Sequence, residues 1–510
     1  MKHKIFLLAI LLITGCSSKV FKKLPEGPID HHLIVVAKVN DGIKAKGFSS
    51  STPKNTSIMC TVGEKSGSAV SNADGSFELT INDLEAKFVD LIFNVDNKDY
   101  VVGYEVKDLS ERLGQIAHSP FSIGKEIDFL SFIDKKALIL SSNAASISIV
   151  DISDQWILSD KIKSSVLLNP DGKANIGARM VEALGDKALV SFSLTHEISL
   201  IDTKNNEVLS KTRLKDASGA LFTFKNPVTL TVKDAIDADG SGPKTSISTS
   251  FAHSPEAIFA IDDQYFLATF SNYYQFLDND NDSVVGPGIV ALMSIKGGEL
   301  ITHQIELLTY KNPMYFFADD QDIWITCAGA WHKQSSGIYQ SHDAGITKIK
   351  LSADKNSFTV GHNISLGDFS PAEPVVVKNK IIIPHSQFND IAVIDSNASN
   401  ITANDMIEAK FPRSFNFSFA SLWHDDVVIL GDNLGSLVAY SLSEGFFPFP
   451  FIEPITIDPK LLPPRLHKLY FRNRVLKTPI KDMPAGFSAW AVSYNQAKIF
   501  PLDFLMVFGP

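Results

Sequence analysis

The sequence predicts an all-β chain of two domains. Three observations point there. Residues 32–110 hold short apolar strands broken by tight turns. From about residue 116 onward, an apolar strand, a turn of Asp, Lys or Asn and a second apolar strand recur every 45 to 60 residues or so. After the first twenty residues, no apolar run is long enough to cross a bilayer core, which takes roughly 20 residues in a helix. Repeats near this period with four strands apiece signal a β-propeller, one blade per repeat. The prediction is a small β-sandwich followed by a propeller of seven blades, with six and eight as the alternatives.

The chain opens with Lys2 and Lys4, then a nearly unbroken apolar run from Ile5 to Ile13. A charged start, a short apolar run and small residues after it read as a signal peptide over residues 1–15. Ile13-Thr14-Gly15-Cys16 resembles the lipobox of bacterial lipoproteins. That resemblance implies lipidation of Cys16, cleavage before it and acylation of the new amine. Several acyl chains anchor firmly where one alone binds marginally, at about 0.8 kcal/mol per buried methylene. Ser17 follows the cysteine, which by the same resemblance favours the outer membrane. Residues 16–31, with Pro25, Gly27 and Pro28, read as a lipidated tether.

Of 510 residues, 45% are apolar and 20% charged, and the net charge is −10. Without Lys2 and Lys4 the balance is about −12. A surface this acidic argues against nucleic acid, whose phosphates need a basic partner. With Cys16 assigned to lipid, Cys60 and Cys327 remain. They fall in different predicted domains and make no disulfide framework.

Over 32–110, strands are expected at His32 to Val39, Ile58 to Val62, Phe77 to Ile81, Phe88 to Val95 and Tyr100 to Val106. Asn72-Ala73-Asp74-Gly75 supplies a turn, Gly giving positive φ. Asp74-Gly75-Ser76-Phe77 resembles the "D-G-x-F" hairpin of carboxypeptidase-regulatory-like and related Ig-like sandwich domains. The expected role is a spacer or small interaction module.

Over 116–510, the turn marker occurs at Asp134-Lys135, Gly185-Asp186, Asp262-Asp263, Asp319-Asp320, Lys378-Asn379 and Asp425-Asp426. Further along each unit, Ile198 to Val208 with its Ile201-Asp202-Thr203 resembles the YVTN propeller repeat. Ile147 to Asp151 and Ile391 to Asp395 are similar, whereas Ser294 and Lys350 depart from it. Six markers give six blades. Ala485 to Ser493 and Gln496 to Leu502 start a seventh, with Ile116 to Ile123 as its outer strand. Residues 444–483 are Pro- and Phe-rich and show no period.

By the same resemblance, the segments leading into each blade and the loops between second and third strands share one face around a central channel. The leading segments hold His118, Arg179, Ala252 to Glu256, Asn312-Pro313, Pro371 to Glu373 and Arg413. For His118 and His253, in a repeated Ala-His-Ser-Pro, turn chemistry is favoured over binding. Two long loops, Ser271 to Gly288 and Ala328 to Gly345, fall in adjacent blades and are expected side by side. Long loops in compact domains carry function. These offer Tyr273, Tyr274, Phe276, Trp331, His332, Tyr339 and His342, residues that give contact area with a polar handle.

Asp278, Asp280 and Asp282 alternate in the first long loop, as oxygen ligands of Ca²⁺ do. Asp237 and Asp239 form a shorter version. Both stretches resemble the opening of EF-hand and dockerin loops, and both lack the downstream bidentate Glu. His303, His332, His342, His362 and His385 are too scattered for a transition metal. Cys327, beside Ile323, Trp324 and Ile325, reads as a buried strand residue rather than a ligand with His332 and His342. No phosphate loop, nucleophile elbow or metalloprotease helix occurs. The expectation is a lipid-anchored envelope binding or scaffold protein with a protein or glycan partner. Its alternatives are a lyase- or lactonase-type enzyme working in the channel and an outer-membrane assembly subunit.

Overall fold

A computed structural model describes residues 28–29, 34–39, 42–47, 51–63, 65–73, 75–82, 85–106, 115–116, 122, 126–153, 158–169, 177–223, 228–229, 246–247, 250–275, 283–318, 322–333, 339–409, 416–424, 426–432, 437–443, 445–446, 466–471, 489–493 and 498–503. They are almost entirely antiparallel strand, with one 3-10 turn at Ala403–Asp405. They form two compact units, one within Met1–Gln115 and one within Ile116–Lys477 and Ser488–Leu502.

The described residues of the first unit form two sheets. One orders Ile34–Val39, Gly42–Gly47 and Phe77–Ile81; the other orders Lys65–Val70, Ser57–Val62, Phe88–Val95 and Lys98–Glu105. Alternation does the sorting. In Ser57–Val62, Ile58 and Cys60 are buried while Ser57, Met59 and Thr61 are exposed. Both sheets feed one core of Ile34, Ile43, Ile58, Phe77, Leu91, Phe93 and Tyr104. Ser51, Thr52 and Ser71 satisfy the turn backbone, Ser51 and Thr52 donating to the Gly75 carbonyl and Ser71 to that of Pro53. Gly75, at φ 85°, supplies the left-handed bend expected of this turn.

The second unit contains, among the described residues, seven sheets with a path of four strands each. The first comprises Phe129–Ile133, Lys136–Ser141, Ser146–Ile152 and Leu158–Leu167, and the second Ala178–Leu184, Lys187–Phe192, Glu197–Asp202 and Glu207–Thr212. The third comprises Ser250–Ala260, Tyr265–Gln275, Pro287–Lys296 and Glu299–Lys311, and the fourth Pro313–Ala318, Ile323–Cys327, Ala344–Leu351 and Phe358–Gly367. The fifth comprises Val375–Val377, Lys380–Pro384, Asp390–Asp395 and Met406–Glu408, and the sixth Phe417–His424, Val427–Asp432, Leu437–Ser441 and Gly445–Phe446. The seventh orders Leu466–Phe471, Ala489–Ser493, Lys498–Asp503 and Gln115–Ile116.

The turn markers at Asp134-Lys135, Gly185-Asp186, Asp262-Asp263 and Lys378-Asn379 join first strands to second; Asp319-Asp320 and Asp425 lie outside the described residues. Each second strand is a continuous apolar run because it is covered on both faces, as Ala137 to Leu140 and Val427 to Leu430 are. Cores lie between successive sheets. Leu138, Ile149, Val181 and Val190 join the first two; Leu189, Leu200, Phe266 and Met293 join the next pair. Leu292, Ile325 and Ile349, then Trp324, Ile381 and Ile394, then Ile382, Phe417 and Leu430 continue through the sixth. First strands also touch in chain order from the first sheet to the seventh. The seventh returns to the first: Tyr470 Oη accepts the Leu130 N–H at 3.1 Å, and the Phe132 and Trp490 rings lie 5.0 Å apart.

The Asp-Thr signature has a local purpose. Asp202 Oδ1 accepts the N–H groups of Lys204 and Asn205 at 2.8 and 2.9 Å, and the Thr203 hydroxyl donates to the Asp186 carbonyl at 2.7 Å. One motif thus fixes its own turn and ties it to the neighbouring first-to-second turn. Asp395 does the same toward Asn397 N–H at 3.0 Å. At Ser294 the side chain instead meets His303 Nε2 at 2.7 Å.

Candidate functional site

Two arrangements in the second unit concentrate polar chemistry. One lies on the first strands. Ala178–Leu184 carries Arg179 and Glu182, Ser250–Ala260 carries Glu256, and Pro313–Ala318 carries Tyr315. Glu373 precedes Val375–Val377, where its backbone bridges in parallel to Phe419 of the sixth sheet. Leu466–Phe471 carries Lys468 and Tyr470. Arg179 and the stretch to Glu256, expected in leading segments, therefore lie within strands.

Two ion pairs form there. Lys468 Nζ reaches Glu373 Oε1 at 2.6 Å and stands 5.7 Å from the Tyr470 ring centre. Arg179 Nε stands 3.4 Å from Glu256 Oε2, with the arginine side chain half exposed and the glutamate 3% exposed. The other Glu256 oxygen, Oε1, is buried with no hydrogen-bond partner. Glu182 makes no ion pair among the described residues.

Charge states follow from burial. Burial lifts the Glu182 carboxyl from an ordinary 4.5 to about 7, against the pull of the Lys468 ammonium. Burial likewise raises Glu256, with Arg179 and the Ser271 and Ser254 hydroxyls opposing. Tyr315 is pushed up to about 12 by burial and by Glu373, and it also feels Lys468, Arg179 and Glu256. Tyr470 rises to about 12 for the same first reason. Lys468 is held above its ordinary range by Glu373, Tyr470 and Glu182, which outweigh its desolvation. These groups act on one another as a single cluster.

The second arrangement is a pair of β-ribbons where the long loops were expected. Tyr265–Gln275 runs on to pair with Ser283–Val285, matching Tyr273 with Val285 and Tyr274 with Val284. Ala330–Lys333 pairs with Tyr339–His342, matching Trp331 with Ser341, His332 with Gln340 and Lys333 with Tyr339. The bases of the two ribbons meet at Asn312. Its Oδ1 accepts the buried Ser271 hydroxyl at 2.9 Å, and its carbonyl accepts the Ala328 N–H at 2.9 Å. His342 Nδ1 lies 2.7 Å from Asp368 Oδ1, and the Ser341 hydroxyl donates to the Ala328 carbonyl at 2.5 Å. The second base is thereby pinned. Tyr273 is half-buried.

The chain matches no known protein-family model and no curated protein. The site is therefore read from its own chemistry.

Phe276, Arg413, His118, Asp278, Asp280, Asp282, Asp237, Asp239 and Cys16 lie outside the described residues. Cys327 is a buried strand residue whose thiol burial pushes up, as is Cys60, raised to about 12. His253 is half-buried, its Nε2 3.1 Å from the Phe222 carbonyl and its ring 5.4 Å from the Phe222 ring. His385 is buried; its Nδ1 accepts the N–H groups of Gln387 and Phe388 and its ring meets Phe369, so burial lowers it to about 4. Sequence reasoning missed Glu182, Tyr315, Lys468 and Tyr470. Leu466-His467-Lys468-Leu469-Tyr470-Phe471 carries no clear period, and the Pro- and Phe-rich residues around it gave no signal of a strand.

Proposed function

We propose that this chain is a lipid-anchored cell-envelope protein that displays a seven-bladed β-propeller, behind a β-sandwich spacer, to bind a protein or glycan. The observation that carries the reading is the Asn312 clasp between the two ribbons. Two extensions from neighbouring sheets are joined at their bases, and their paired strands include Tyr273, Tyr274, Trp331, His332 and Tyr339, which supports reading them as one contact surface. Aromatic residues on a pre-ordered support bind with little ordering cost. Sheets with shared cores between neighbours, returning from seventh to first, support the propeller reading. Cys16 and the apolar run before it support the anchor at the outer membrane. The alternating Asp278, Asp280 and Asp282, which lie outside the described residues, are proposed as ligands of Ca²⁺.

Crosslinking in intact cells followed by capture of the chain tests the reading. Wild type is expected to bring down a defined envelope protein or glycan, and a Tyr274→Ala, Trp331→Ala double variant to lose most of it. Capture that survives loss of both aromatics would remove the ribbons from the interface. Labelling with a radioactive fatty acid, lost in Cys16→Ala, tests the anchor separately.

A further inference from the structure

We propose that the polar cluster on the first strands of the second unit is a binding site for an organic cation, an amine-bearing small molecule held by Glu182 and Glu256 with Tyr315 beside them. The proposal is independent of the ribbon surface.

Charge and hydrogen-bond accounting lead to it. The cluster holds three carboxyl groups and two cations. Both cations are engaged, Lys468 with Glu373 at 2.6 Å and Arg179 with Glu256 at 3.4 Å. Glu182 has no ion-pair partner among the described residues. Glu256 is 5% exposed, yet its Oε1 has no hydrogen-bond partner, because the nearby Ser254 and Ser271 hydroxyls donate instead to the Ser193 carbonyl and to Asn312 Oδ1. A buried carboxylate oxygen left unpaired costs more than a typical hydrogen bond contributes. What the cluster lacks is positive charge with N–H donors. An ammonium group supplies both, with three donors on one compact charge. An anion would have to displace Glu373 or Glu256 from its cation and would face the remaining carboxylates. A neutral polyol could satisfy Oε1 but would leave Glu182 uncompensated. Among the described residues no three His, Cys, Asp or Glu side chains stand close enough to chelate a metal ion.

The groups acting on Glu182 set its pH response. Lys468 comes from the seventh sheet, and the Ala260 N–H from the third. Glu373 and Tyr470 act on it through Lys468. Arg179 shares its strand, and the first sheet offers Ser131, whose hydroxyl is occupied by the Ala183 N–H at 2.9 Å. Lys468 alone is insufficient, since the carboxyl still titrates near 7. A cationic ligand favours the ionised form, so its binding expels a proton below that pH. By linkage its affinity rises up to about tenfold per pH unit until about pH 7, then levels.

Calorimetric titration of the full chain in non-ionic detergent with putrescine and spermidine tests this, with 1,4-butanediol and glutarate as uncharged and anionic controls. The expected result is an amine Kd below about 1 mM at pH 8, weaker binding at pH 6, and no heat from either control. Glu182→Gln is expected to lose at least about tenfold in affinity and to shrink the pH dependence to the part that Glu256, also raised by burial, contributes. Asp151→Asn, an exposed carboxylate paired with Lys163, is expected to change neither. If Glu182→Gln does not fold, Glu256→Gln is read in its place, with the same loss of affinity expected. Failure of both amines to bind, equal binding of the diol, or unchanged affinity in the folded variant would overturn the proposal.

Discussion

Glu182 sets a measurable price on folding above neutrality. Its carboxyl is near 7 in the fold and near 4.5 when unfolded. The fold prefers the protonated form. Stability from this group is therefore fully present below about pH 4.5 and declines as pH rises to about 7, where the loss levels off. Its size is on the order of 3 kcal/mol. Glu182→Gln should raise the thermal midpoint by a few degrees at pH 8 and leave it unchanged at pH 4, read by calorimetric melting. The same substitution should weaken amine binding, so stability and binding move in opposite directions. At this scale the sequence exposed part of the site. Arg179, Glu256 and Glu373 stood out because they lead into repeating apolar strands. Glu182 did not, because a carboxylate between Val181 and Ala183 looks like any solvent-facing residue until the neighbouring first strands enclose it.

At the scale of elements, Gly329 decides whether the second ribbon leaves its sheet correctly. It lies at φ 72°, and a Cβ there would come within 2.0 Å of the His342 carbonyl oxygen. Both backbone strain and a backbone clash oppose any side chain. Gly329→Ala should cost about 1–3 kcal/mol and release the ribbon base. Hydrogen exchange should show lost protection at Trp331 and Lys333, together with loss of the captured partner. The remaining sheets should keep their protection. The six turn markers were legible because an Asp or Asn before a wholly apolar strand is a local signal. The ribbons were not, because the polar residues that extend them satisfy no period and are set by pairing. The inner strand Leu466–Phe471 was missed for a related reason: its Lys468 breaks the apolar pattern, and Glu373, Tyr470 and Glu182, the first and last from other sheets, make that lysine tolerable there.

At the scale of the whole second unit, closure rests on strands far apart in the chain. Gln115–Ile116 completes a sheet whose other strands begin at Leu466, Ala489 and Lys498. Deleting residues 498–510 removes Lys498–Asp503, leaves Gln115–Ile116 without its neighbour and exposes Trp490, now 1% exposed. The truncated chain should melt at least about 10 °C lower and in a broader transition, as expected when several kcal/mol of burial are lost. Scanning calorimetry measures both. A sharp, unshifted transition would show that the seventh sheet contributes little to cooperativity. The repeat spacing made this closure legible in outline, since a C-terminal pair of strands lacked an outer neighbour and residues near 116 lacked an inner one.

The hydrogen bond from Leu130 to Tyr470 spans 340 residues. During synthesis at 5 to 20 residues per second or so, the first sheet would wait roughly half a minute for its last neighbour. Until then its Phe132 face stays uncovered, and contacts of such separation form late. The chain thus carries a built-in timer: a nascent or stalled copy is marked by an open seam between its first and last sheets. Proteases and holding chaperones would read that seam as the sign of an unfinished molecule.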